Sequence, residues 1–256
     1  MKIAAAQYNI AWNNCEANFT RVEKFARQAQ ELKADMLLLP ETFSTGFSLL
    51  DATEVKEIGP KSEEFLLQLS KNYPITIAGS FLGMAQSGKP WNHLIVCQGG
   101  EVLGRYSKMH LFGYGGETEK YERGARTLTL QLNNIRFSFF ICYDLRFPKP
   151  WAQVAKDTDV YVVVANWPRA RIAHWKTLIA ARAIENQAYV VGVNRVGIGG
   201  SLDYNGQSVC IAPRGEIVAD ASESESLMLA DINLEYVNTY RTEFPCLADR
   251  LPGIDE

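Results

Sequence analysis

The sequence lacks paired cysteines. It has five, an odd number with no close C-x-x-C spacing, which excludes a closed disulfide framework and suits free thiols in a reducing compartment. Histidine is scarce: His93, His110 and His174 show no ligand spacing such as H-E-x-x-H, which weighs against a metal hydrolase. No apolar run is long enough to span a bilayer. Met1–Gln7 superficially resembles a secretory leader, but Gln7, Asn9, Asn13 and Asn14 interrupt any apolar core, so a cytoplasmic protein is expected. Formal net charge is −3 with no block of like charge, so neither nucleic acid nor an anionic membrane is expected as a partner. The glycine-rich runs Gly113–Gly116 and Gly197–Gly200 complete neither G-x-G-x-x-G nor a P-loop and read as plain turns.

What is present is a globular composition. The 256 residues are 47% hydrophobic, enough for a sizeable core, with no repeat or linker to divide them. A single domain over 1–256 is expected, ending in a helix and an extended arm from about 233, an arm of the kind that packs on another subunit. Strands and helices alternate. Lys2–Tyr8 reads as a strand, Asn13 or Asn14 as the cap of a helix running to about Lys33, and Met36–Leu39 as an apolar strand buried on both faces. A helix is expected over Ser62–Asn72, and strands over Ile75–Leu82, His93–Gln98 and Val102–Tyr106. Met109–Arg126 reads as a long loop. Leu128–Leu132 and Ile135–Ile141 read as a hairpin, and Val160–Ala165 and Tyr189–Asn194 as strands around a helix at Ile172–Gln187. The hairpins exclude a purely parallel sheet and favour a two-sheet α/β sandwich with helices outside.

Three segments place a reactive side chain at the end of an apolar strand, where rigid backbone delivers groups into a cleft. In Leu37-Leu38-Leu39-Pro40-Glu41, a carboxylate follows a buried strand near Phe43 and Phe47, a setting for a general base. In Arg105-Tyr106-Ser107-Lys108, the lysine stands where strand gives way to loop. In Phe139-Phe140-Ile141-Cys142-Tyr143-Asp144, the thiol ends a strand before a helical turn, whose N–H groups both lower a thiol's pKa and stabilise anions. Taken singly, Glu41 reads first as a solvated loop acid, Lys108 as a surface lysine, and Cys142 equally well as a structural cysteine.

Together the three resemble the signature of the nitrilase superfamily of carbon–nitrogen hydrolases. That signature is a Glu after a strand-ending Pro, a Lys in K-x-H-L-F, and a Cys in C-Y-D-x-R-F-P, met here at Pro40-Glu41, Lys108–Phe112 and Cys142–Pro148. The likeness extends through Asn166-Trp167-Pro168, Ala181–Gln187, Gly192–Gly197 and Asp203–Ser208, and so covers nearly the whole chain. It implies a four-layer α-β-β-α sandwich, assembly into homodimers or larger homo-oligomers, and catalysis without cofactor or metal. It implies a triad of Glu41 as proton carrier, Lys108 as oxyanion stabiliser and Cys142 as nucleophile, with the backbone N–H of Tyr143 as a further oxyanion donor. A second active-site Glu falls on Glu117, with Glu119 and Glu122 as competitors.

Within the superfamily, Tyr143 departs from the Trp usual in nitrilases proper, and the Asn166-Trp167-Pro168 and Arg182–Val190 segments are most similar to the omega-amidase branch, which cleaves the side-chain amide of small 2-oxo acids such as 2-oxoglutaramate. Another small amide or an N-carbamoyl amino acid is the alternative substrate, and a non-catalytic interaction protein on the same scaffold the alternative class. An acid substrate needs a cation, for which Arg146, Arg169 and Arg171 are candidates. Phe43 and Trp167 are candidate pocket walls. One departure from the branch is Gly199-Gly200, where Asp-Gly is more usual.

Overall fold

The structure is a computed structural model in which residues 1–251 and 253 are described. In chain order, β1 is Lys2–Gln7, α1 Cys15–Glu31, β2 Met36–Leu38, α2 Ala52–Asn72, β3 Thr76–Met84, β4 Pro90–Gln98, β5 Glu101–Ser107 and α3 Glu117–Lys120. The second half runs β6 Thr129–Leu132, β7 Ile135–Ile141, α4 Pro148–Gln153, β8 Val160–Val164, α5 Ile172–Asn186 and β9 Tyr189–Val193. It closes with β10 Val196–Gly199, β11 Leu202–Asn205, β12 Val209–Ile211, β13 Ile217–Asp220, β14 Ser226–Asp231 and α6 Leu234–Glu243.

Two six-stranded sheets form, in the orders β14-β1-β2-β3-β4-β5 and β13-β12-β9-β8-β7-β6. They share one plan. β1, β2 and β3 run parallel in the first sheet, as β7, β8 and β9 do in the second, and antiparallel strands flank each core. The period-2 geometry of strands explains the layering. Ile3, Ala5, Met36 and Leu38 point to a core shared with Phe137, Phe139 and Val162 of the opposite sheet. Ala4, Ala6, Leu37 and Leu39, one residue out of phase, meet Val22, Phe25 and Ala26 of α1 and Leu66 and Leu69 of α2. On the far side, Trp175, Ile179 and Ala183 of α5 cover the second sheet. The result is the expected α-β-β-α sandwich. Alternate residues of β2 thus serve two different cores, which is why the strand is apolar throughout.

Three elements differ from expectation. Helix α2 starts ten residues earlier than Ser62, because Asp51 and Glu54 form a reciprocal capping box at its N-terminus. It continues through Pro60, whose ring and missing N–H normally stop a helix, held by burial of Val55 and Leu66 on either side. Gly59 permits this: a Cβ there would come within 2.8 Å of the Leu82 carbonyl, so the helix lies directly on β3. The loop over Met109–Arg126 contains the short helix α3, and the Gly197–Gly200 run belongs to a third sheet, the hairpin β10–β11. At the C-terminus, α6 and the following turn are tied to their own chain: Arg241 donates to the carbonyls of Thr158 and Gln187, and Arg250 to those of Ala152 and Glu185. The rest of the expected arm, Pro252 and residues 254–256, lies outside the described residues. Among the described residues no helix is long and apolar enough to cross a membrane.

Candidate active site

Glu41, Cys142 and Asn166 all lie just beyond the C-terminal ends of parallel strands, β2, β7 and β8, and Lys108 follows the last residue of β5. Two of these strand ends turn sharply. Thr42, next to Glu41, has φ +44° and Cys142 itself φ +45°, left-handed conformations that cost a non-glycine residue roughly 1–3 kcal/mol. Each is held from outside. The Ser80 hydroxyl accepts from the Thr42 N–H at 2.9 Å, and Asn166 donates to the Thr42 hydroxyl at 3.0 Å. Beside Cys142, the Asp144 carboxylate accepts from the Ile141 N–H, the Trp151 indole donates to the Asp144 carbonyl, and the buried Arg182 donates to the Leu145 carbonyl at 2.7 Å.

The charged cluster is closed off from water: Glu41 and Glu117 are 0% exposed and Lys108 1%. Lys108 Nζ donates to Glu41 Oε1 and to Glu117 Oε2, each at 2.8 Å. Glu41 also accepts from Asn92 Nδ2 at 2.8 Å and from the Asn166 N–H at 2.9 Å, so both its oxygens are engaged. Glu117 Oε2 further accepts from the Phe112 N–H at 2.6 Å, which folds the start of the long loop around it. Burial works against the Lys108 charge, yet Glu117 and Glu41 together outweigh it and hold the ammonium well above its ordinary range. Burial raises the Glu117 carboxyl against the pull of Lys108. Burial and the adjoining Glu41 carboxylate also push the Cys142 thiol well up, with Lys108 opposing them only in part. Among the described residues no group of three or more His, Cys, Asp and Glu side chains is arranged to hold a metal ion. The space between the two carboxylates is taken by the Lys108 ammonium.

The cluster forms the floor of a cleft of about 650 Å³ lined by both Lys108 and Cys142. One wall holds Arg146 and Arg171. The Arg146 guanidinium lies 4.8 Å from the Trp167 ring, and that of Arg171 lies 5.4 Å from the Phe112 ring. Neither makes an ion pair with a carboxylate among the described residues. Trp12, Tyr204 and the turn Gly199-Gly200 also line the cleft. Trp12 sits on a bed of glycines, since a Cβ on Gly46 or Gly199 would lie within 3.0 Å of its ring. The unusual Gly199-Gly200 pair therefore shapes the cleft itself.

The structure brings together Glu41, Lys108, Cys142, Tyr143, Glu117 and Trp167. It separates the competing glutamates: Glu119 is exposed on α3, and Glu122 pairs with the Ser87 hydroxyl. Phe43 is not a pocket wall. It is fully buried under the first sheet, against Phe19, Phe65 and Phe81, because its backbone N–H binds the Ser80 carbonyl and turns the ring into the helix-side core. Phe47, four residues on, lines the cleft instead and lies 5.3 Å from Lys108 Nζ. Arg169 is also set apart, in exposed ion pairs with Asp203 and Glu223.

Several functional neighbours went unread in the sequence. Asn92 lies before the strand expected from His93, and the structure extends that strand back to Pro90 and so brings Asn92 onto Glu41. Asp144 accepts from the Tyr106 hydroxyl at 2.6 Å and from both the backbone N–H and the ring Nδ1 of His110, so it ties the cysteine turn to the lysine loop. His110, whose place in the K-x-H-L-F run already marked it as a structural neighbour of the triad, stacks on Phe147.

Comparison with known proteins agrees with this geometry. The carbon–nitrogen hydrolase family profile matches residues 2–242. The omega-amidase YafV of Yersinia enterocolitica is 37% identical over 97% of this chain and 96% of its own length. The 2-oxoglutaramate amidase of Bacillus subtilis is 29% identical, over 96% of both. A carbon–nitrogen hydrolase superfamily protein of Xanthomonas campestris, whose crystal structure carries an arsenic adduct in the active site, superposes with a TM-score of 0.91 at 29% identity, over 99% of this chain and 98% of its own. With the profile matched almost end to end, and a relative above 30% identity along its full length, this protein belongs to the carbon–nitrogen hydrolase family, the hydrolases of the nitrilase superfamily.

Proposed function

We propose that this chain is an omega-amidase, hydrolysing the side-chain amide of a small 2-oxo acid such as 2-oxoglutaramate to the carboxylate and ammonia. One observation carries the reading: a thiol beside the buried Glu41–Lys108–Glu117 cluster, at the floor of a cleft whose wall offers two guanidinium groups free of carboxylate partners among the described residues. In this scheme Glu41 takes the Cys142 proton as sulfur attacks the amide carbon. Charge develops on the carbonyl oxygen, where Lys108 Nζ and the Tyr143 N–H donate to it. The N–H groups opening a helical turn have no partner within the turn, which leaves that of Tyr143 free for this task. Glu41 returns the proton to the departing nitrogen, ammonia leaves, and a thioester remains on Cys142. Water, deprotonated by Glu41, attacks the thioester and releases the acid and the thiol.

Glu117 has the part of a positioning residue, holding Lys108 from the side opposite Glu41. Arg146 and Arg171 bind the substrate carboxylate, and Trp167, stacked against Arg146, orients that cation. The names and near-full-length match of the omega-amidase and 2-oxoglutaramate amidase relatives support the choice of substrate. Self-association into a homodimer or larger assembly is expected, and light scattering of the purified protein tests it.

The deciding assay is ammonia release from 2-oxoglutaramate, beside glutamine, an N-carbamoyl amino acid and a simple nitrile, with Cys142→Ala in parallel. Release from the oxo-amide alone, lost in the variant, is expected. Cys142-dependent release from another of these substrates but not the oxo-amide keeps the chemistry and discards the substrate. Trapping of an acyl group on any residue other than Cys142 overturns the scheme.

A further inference from the structure

Tyr204, on β11, is 2% exposed and lines the same cleft as Cys142. A buried tyrosine ordinarily finds a hydrogen-bond partner for its hydroxyl. This hydroxyl has none among the described residues, although Tyr8, Tyr106, Tyr121 and Tyr161, all buried, each donate to a carbonyl or carboxylate. The ring is fixed from behind. The guanidinium of buried Arg195 lies 4.7 Å from its centroid and is anchored to Asn9 and to the carbonyls of Ile10 and Ile198. In front, Tyr204 lines the cleft together with Cys142 and Arg171. Burial pushes the phenol up to about 12, which keeps its proton on at any working pH. With the Arg195 guanidinium behind the ring, the group is suited to donate to a neutral or anionic oxygen and unsuited to receive a cation.

We propose that the Tyr204 hydroxyl donates a hydrogen bond to the 2-oxo oxygen of the bound substrate and thereby selects 2-oxo acid amides over 2-amino acid amides. The inference rests on the omega-amidase reading and deepens it. The 2-oxo group lies between the amide that meets Cys142 and the carboxylate that meets Arg171, and Tyr204 lines the cleft together with both residues. A 2-ammonium group in the same place brings a positive charge and no acceptor. A site built around one such bond discriminates more strongly than an apolar pocket, because the wrong substrate leaves a buried donor unpaired.

The test uses Tyr204→Phe, which removes one oxygen and keeps the ring over Arg195. kcat/KM is measured for 2-oxoglutaramate and for glutaramate, the same chain without the 2-oxo group, with both the variant and the unaltered protein. A loss of about 10- to 100-fold on 2-oxoglutaramate is expected, with the glutaramate value unchanged within about threefold. The thermal midpoint is expected to stay level. Equal losses on both substrates, or no loss on either, overturn the assignment to the 2-oxo group while the omega-amidase reading stands. If the unaltered protein releases no ammonia from 2-oxoglutaramate, the substrate reading falls, and the Tyr204 inference with it.

Discussion

The two ends of the cleft are built on opposite principles. At the floor, Glu41 and Lys108 are satisfied before any ligand arrives: Lys108 has two carboxylates, and Glu41 has Lys108, Asn92 and Asn166. At the walls, Arg146, Arg171 and Tyr204 present polar groups that no carboxylate or carbonyl answers among the described residues, Arg146 meeting the ring of His174 at 3.1 Å. The floor must hold charges at fixed separations through a reaction, and preorganised groups need no rearrangement when charge moves. The walls must recognise, and a group already paired internally has nothing to gain from a ligand.

Breaking the floor has the largest expected effect. Cys142→Ala should abolish turnover, a loss on the order of 10⁴-fold or more, with the melting temperature retained. Lys108→Met removes an oxyanion donor and leaves two carboxylates buried without their cation. A fall in kcat of roughly 10²–10³-fold is expected, together with about 3–5 kcal/mol of lost stability in urea unfolding. A loss of activity at unchanged stability would show that the cluster is not held as tightly as its geometry implies.

Breaking the wall should act on substrate binding alone. Arg171→Gln is expected to lower kcat/KM on the acid substrate by about 10- to 100-fold, chiefly through KM, with no change in thermal midpoint. Equal loss on a neutral amide such as propionamide would remove Arg171 from carboxylate recognition.

Alkylation of Cys142 by iodoacetamide sharpens the contrast from another side. Because burial and Glu41 hold the thiol above its ordinary range, the rate should keep rising with pH beyond 9 and not level off near neutrality. A plateau near pH 7 would mean that Lys108 outweighs Glu41 at the sulfur.

The last effect leaves turnover aside and concerns the stability of the fold. His93 is buried with Nε2 unpartnered among the described residues, and burial pulls it from 6.5 down to about 4. Its ring is neutral in the folded chain and protonates more readily in the unfolded one, so stability should fall as pH drops from about 6.5 to 4, by at most roughly 3 kcal/mol. His93→Asn should flatten that part of the stability–pH curve. An unchanged slope would assign it to other groups.

Much of this was legible in the chain. The apolar run of β2 announced a strand buried on both faces, and Glu41 and Cys142, each read at the end of an apolar strand, meet Lys108 at the floor of the cleft. The order Glu41, Lys108, Cys142 and the segments around them identified the family. The misreadings share a cause. Pro60 reads locally as a stop, and only the seat of Gly59 on β3 carries α2 through it. Phe43 and Phe47 are equivalent as letters near Glu41, yet the hydrogen bond from the Phe43 N–H to the Ser80 carbonyl turns one into the core and leaves the other in the cleft. Arg146, Arg169 and Arg171 were likewise interchangeable until Asp203 and Glu223 engaged one of them.

The sequence by itself thus determined the layers, the family and the identity of the reacting groups, because strand periodicity and side-chain chemistry are local properties. Which glutamate meets Lys108, which arginines stay free and which tyrosine keeps an unanswered hydroxyl were decided only by tertiary structure. Each depends on partners brought from distant parts of the chain, such as Asn92 and Asn166 on Glu41, or Arg195 behind Tyr204, and whether a polar group is spent or available is set by those neighbours.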